Sequence, residues 1–119
     1  MDDLVEWLRA QLDVDERIAR GCSGSGWREY PTNWVSVPSS DRVALVVNDG
    51  DRAHVIRHDP ARVLREIDAK RRIIAEHDIR SRPLGERMDC QSYDFPCKTL
   101  RLLALPYDDR PGYRKEWRP

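Results

Sequence analysis

No apolar run in these 119 residues approaches the roughly 20 needed to cross a bilayer. The start, Met1-Asp2-Asp3, is acidic where a secretory signal would be basic. Cysteine occurs three times, as Cys22, Cys90 and Cys97, an odd set without the paired spacing of a zinc knuckle or a thiol-redox motif. Charge of either sign is not in excess, since 21 basic residues meet 21 acidic ones. That balance excludes the whole-protein basic field by which many proteins gather nucleic acid. Together these absences predict a cytoplasmic chain with reduced thiols and no membrane segment.

What is present suits one domain over residues 1–119. Four Trp and four Tyr supply large surfaces for burial, although the charged fraction, 35%, is high. The even charge balance conceals a polarity. Residues 1–20 hold Asp2, Asp3, Glu6, Asp13, Asp15 and Glu16 against three arginines, whereas residues 52–72 hold Arg52, Arg57, Arg62, Arg65, Lys70, Arg71 and Arg72 against three acids. Two complementary segments that pack together explain this more simply than a functional basic surface.

Leu4, Leu8, Leu12, Ile18 and Ala19 recur at helical spacing, flanked by Trp7 and Val14, and predict a helix from about Asp3 to Arg20. Asp2 and Asp3 favour its N-terminus and Gly21 its stop. Asp15 falls within the apolar stripe. The run Gly21-Cys22-Ser23-Gly24-Ser25-Gly26 lacks the Lys-Ser/Thr pair of a phosphate loop and reads as a linker, with Trp27 anchoring the chain after it. Trp34–Val37 and Arg42–Val47 predict strands. Asn48-Asp49-Gly50-Asp51 reads as a hairpin turn, with Arg52–Arg57 as the return strand. Asp59 is a good N-cap and Pro60 a good first residue for a second helix, with Val63, Leu64, Ile67 and Ile74 as its apolar stripe. Arg62–Glu66 and Arg72–Glu76 stand at ion-pair spacing on its other face. Arg71 falls inside the stripe, which suggests either a desolvated pair with Asp15 or a snorkelling side chain. Residues 78–94 have no pattern. A short helix follows from about Pro96 to Leu105, and the tail brings Tyr113 and Trp117 back to dock. The expected architecture is α+β: a small antiparallel hairpin sheet packed against two main helices, with a short C-terminal helix and a docked tail.

Candidate chemistry is sparse. His77, Cys90 and Cys97, with His54 or His58, are weak zinc ligands without a known spacing, and no other cofactor is suggested. His54 and His58 with Asp59, or Cys22 or Cys97 as nucleophile, lack the local context of catalytic motifs, and His54 and His58 need not converge across a strand-to-helix boundary. Asp59 is explained as a cap. We assign no catalytic residue and lean away from an enzyme. Arg52, Arg57, Arg62, Arg65 and Arg72 could meet phosphates, with Tyr107, Tyr113 or Trp117 stacking on bases, yet no nucleic-acid-binding motif is present.

Arg57-His58-Asp59-Pro60-Ala61-Arg62-Val63-Leu64-Arg65 with Ala69-Lys70-Arg71-Arg72-Ile73 resembles the domain of unknown function 6221 family of small actinobacterial and actinophage proteins. Leu100–Tyr107, Gly112-Tyr113 and Glu116-Trp117 match its C-terminal signature, and Leu8–Leu12 with Asp15-Glu16 match its start. The chain departs from that pattern at Ser23–Gly26, where Thr-Pro-Gly-Pro is usual, and at Arg110, where histidine is frequent. The resemblance implies an actinobacterial or bacteriophage source and a compact domain, and no activity. The function expected is a protein-interaction module, with a partner surface at Arg57, Arg62, Arg65, Arg72, Tyr113 and Trp117, and with Asp15, Trp27, Asp59 and Arg71 in structural roles. The alternative is a nucleic-acid-binding accessory protein that uses the basic face of the helix over 60–77.

Overall fold

The computed structural model describes residues 3–38, 42–78 and 96–119. Helix α1 spans Leu4–Arg20 and α3 spans Pro60–His77, as the apolar spacing predicts. Between them lie strands β1 (Arg28–Tyr30), β2 (Trp34–Ser36) and β3 (Arg42–Leu45) and helix α2 (Asp49–Arg57). After the undescribed residues 79–95 come α4 (Lys98–Ala104) and two short 3-10 turns, Leu105–Tyr107 and Lys115–Trp117. The three strands form an antiparallel sheet in the order β1-β2-β3, so the α+β architecture is correct. Among the described residues no helix is long and apolar enough to cross a membrane.

Two compact units share this chain, one of residues 1–13 and 68–119, the other of residues 14–67. Both α1 and α3 run through the two units. In the first unit Leu4, Val5, Leu8 and Leu12 of α1 are buried, as are Ile74, Cys97, Leu100, Ala104, Tyr107 and Trp117. Leu100 is the inward leucine of α4, whereas Leu102 is exposed. In the second unit Ala19, Val35, Val37 and Ile67 are buried, while Val63 and Leu64 are only half-buried.

The expected return strand over Arg52–Arg57 is a helix instead. Asn48 adopts an extended conformation and its side-chain oxygen accepts from the Asp51 N–H at 2.9 Å, an N-cap in place of a hairpin turn. Asp49 and Asp51 then stand in the first turn, where the helix dipole favours them. The segment also lacks a strand's alternation, since the neighbours Val55 and Ile56 are both half-buried. The third strand comes from the other side, as Arg28–Tyr30 pairs with Trp34–Ser36. The turn between them holds Thr32 at φ 68° and Asn33 at φ 72°. Asn tolerates that region, whereas a β-branched Thr there is strained by about 1–3 kcal/mol.

Candidate functional site

In the second unit the linker and the start of α3 are fastened at Asp59. Its Oδ1 accepts from the Arg62 N–H at 2.9 Å and its Oδ2 from the Trp27 N–H at 3.1 Å. One carboxylate therefore caps a helix and holds the indole-bearing chain against it, and the Ala61 N–H donates to the Ser25 carbonyl at 2.8 Å. Gly24 is required in the linker, because it has φ +84° and a Cβ there would stand 2.7 Å from Val37 Cγ1.

This fastening leaves a largely apolar groove of about 340 Å³ beside the last turns of α1. Ile18, Ala19, Trp27, Pro60 and Val63 line it, with Asp15, Cys22 and His58 as its polar members. Ile18 is 66% exposed, a correction to its expected place in the buried stripe. The inward face of α1 continues from Leu12 to Ala19, i and i+7, and turns Ile18 aside. Asp15, between those two positions, is half-buried. The Cys22 thiol donates to the Ile18 carbonyl at 3.5 Å. His54 and His58 do converge, with ring centroids 4.3 Å apart, because α2 carries them one helical turn from each other. His58 Nδ1 lies 2.9 Å from the His54 carbonyl oxygen.

Sequence reasoning missed a densely bonded side chain of this unit. Arg52 is 7% exposed. Its Nε donates to Glu29 at 2.7 Å, its Nη2 to Asp49 at 2.7 Å, and its Nη1 to Asn33 Oδ1 at 3.2 Å and the Val46 carbonyl at 2.8 Å. The hydrogen bond that it donates to Glu29, and then that to Asp49, raise the guanidinium's pKa above its ordinary value. Arg52 thus ties α2 to the strained Thr32-Asn33 turn, and it is unavailable to phosphate. Only the nearby acids Asp49 and Asp51 hinted at this in sequence, because Glu29 is brought in by the sheet.

In the first unit the expected docked tail is present. Trp117 is 1% exposed and its ring lies 5.3 Å from Trp7 and 5.7 Å from Tyr113. The Trp7 indole N–H donates to the Pro111 carbonyl at 3.0 Å. Gly112 permits this approach, since its φ is +90° and a Cβ would fall 2.6 Å from Trp7 Nε1. Trp117 is therefore core, which corrects its place on a partner surface, and Tyr113 is half-buried beside it. Arg71 meets Asp13 at 2.7 Å, an acid of α1 not foreseen for it. Arg72 pairs with Asp68 at 3.0 Å, one turn back rather than forward. The expected Arg62–Glu66 pair forms at 2.8 Å. Arg57 and Arg65 stand exposed at the end of α2 and on α3. His77 Nδ1 and Cys97 Sγ are 3.6 Å apart, whereas Cys90 lies outside the described residues. Among the described residues no group of three His, Cys, Asp or Glu side chains is placed to hold a metal ion.

No curated protein and no solved structure matches this chain. The family of unknown function DUF6221 matches it over residues 1–119, from α1 to the docked tail. The match agrees with the three sequence blocks that resemble that family, and the chain belongs to it.

Proposed function

We propose that this chain is a protein-interaction module, and that its groove takes an apolar segment of a partner protein. The observation that carries the reading is Ile18, a large aliphatic side chain 66% exposed beside an apolar hollow of about 340 Å³. Exposed aliphatics are common singly, but one at the mouth of such a hollow gives a partner a surface to cover. Val14, one turn earlier on α1, is 38% exposed and extends that surface. A cytoplasmic setting suits the free thiols of Cys22 and Cys97. The source that the family resemblance implies makes an actinobacterial host protein the partner to seek.

The helix-face nucleic-acid reading is weaker. Of its cations, Arg52 is enclosed by its own partners and Arg62 and Arg72 are paired, which leaves Arg57 and Arg65. A photo-crosslinking residue at position 18, used in an actinobacterial lysate, is expected to give one dominant, salt-tolerant protein adduct. Capture through an affinity tag should fail with Ile18→Asp and persist with Arg65→Ala. Capture that survives Ile18→Asp would remove the groove from the account.

A further inference from the structure

The face of the sheet turned away from Val35 carries side chains that the groove does not use. Cross-strand partners in an antiparallel sheet share a face. The register sets Arg28 opposite Ser36, Tyr30 opposite Trp34 and Trp34 opposite Leu45, and the irregularity after Val35 brings Arg42 opposite Ser36. Arg28, Tyr30, Trp34, Arg42 and Leu45 therefore stand together. The guanidinium of Arg42 confirms this, lying 5.0 Å from the Trp34 ring centroid and 5.8 Å from that of Tyr30. Glu29 and Val35 belong to the opposite face, where Glu29 is bonded to Arg52 and Val35 is fully buried. Tyr30 and Trp34 are half-buried, Arg28 and Arg42 are exposed, and Leu45 is 54% exposed. Among the described strand residues on this face none is acidic.

We propose that this face is a stacking platform for single-stranded nucleic acid. Two exposed cations, on a face with no acidic side chain among its described strand residues, select an anionic partner. Two flat rings and a stacked guanidinium select planar groups, and unpaired bases on a phosphate backbone combine both properties. Cross-strand packing accounts for the Tyr30–Trp34 pair, but leaves unexplained why both rings stay only half-buried under an exposed guanidinium. Arg28 stands on the same side as a second phosphate contact, its Nη2 donating to the Pro38 carbonyl at 3.0 Å. The face spans three short strands, enough for two or three stacked bases. A duplex, whose bases are already stacked on one another, would gain only the charge contacts.

Fluorescence anisotropy of the full chain with a labelled oligothymidylate or oligouridylate of roughly 16 nucleotides tests this. Binding is expected at low salt, weakening as salt rises, with a duplex of equal length bound less well. Trp34→Ala should raise Kd by about 5- to 100-fold, the loss of one stacked base, while Trp34→Phe retains most of the affinity. Arg42→Glu, at an exposed position, should weaken binding in a chain whose far-ultraviolet circular dichroism is unchanged, so the test stands even if Trp34→Ala fails to fold. Ile18→Asp and Arg65→Ala should leave Kd unaltered. The platform is overturned by absence of binding at low salt, by affinity insensitive to both Trp34→Ala and Arg42→Glu, or by equal loss in Arg65→Ala. A protein captured through Trp34 without oligonucleotide binding would also overturn it. The groove is read by crosslinking at position 18, so either site can fail without the other.

Discussion

Individual side chains differ sharply in what they hold together. Arg52 joins Glu29, Asn33, Asp49 and a backbone carbonyl through one planar fork, a geometry that lysine cannot reproduce. Arg52→Lys is therefore expected to lose most of the melting temperature that Arg52→Ala loses. Arg62→Ala, which removes a half-exposed i,i+4 pair, should change it little. Thermal melts of the three variants decide this, and equal effects would deny Arg52 its role. The raised pKa implies that its contribution is complete below the ordinary arginine range and is lost only as pH rises through the raised value. Trp117→Ala should cost about 3–5 kcal/mol in urea unfolding, as for a fully buried aromatic. Tyr113→Phe should be neutral or slightly stabilising, because the Tyr113 hydroxyl is buried without a hydrogen-bond partner among the described residues.

Caps decide the elements. Asn48→Ala should cost about 1 kcal/mol by removing the N-cap of α2. Asp59→Ala should cost about 2 kcal/mol, because that carboxylate both caps α3 and receives the Trp27 N–H. Denaturant midpoints of the two variants would show the order, and an Asp59→Ala effect no larger than that of Asn48→Ala would mean the Trp27 bond adds nothing. The Asp59-Pro60 start was legible because it is local: a side-chain acceptor, then a residue with no N–H to satisfy. The Asn48 start was misread for an equally physical reason. Asn-Asp-Gly serves a hairpin turn and a helix cap alike, and the choice lies with what Arg52 reaches on the sheet. β1 escaped notice because three residues are too few to display alternation.

At the scale of the whole chain, α1 and α3 each pass through both compact units. The single domain expected over 1–119 then requires that near- and far-ultraviolet circular dichroism report one coincident unfolding transition. Two separated transitions would make the units independent domains. The equality of 21 basic and 21 acidic residues also places the isoelectric point near 6.8, so solubility should pass through a minimum close to neutral pH.

Helical spacing, the Asp59 cap and the docking of the tail aromatics follow from the chain itself, because each depends on residues within a few positions or on the strong drive to bury Trp117. Family membership was legible for the same reason, in ordered local blocks. The groove beside Ile18, the Arg52 cluster and the Arg42–Trp34–Tyr30 face could come only from tertiary structure. The first two are assembled from segments far apart in sequence, and on the third the sheet register, which no local pattern specifies, sets which side chains meet.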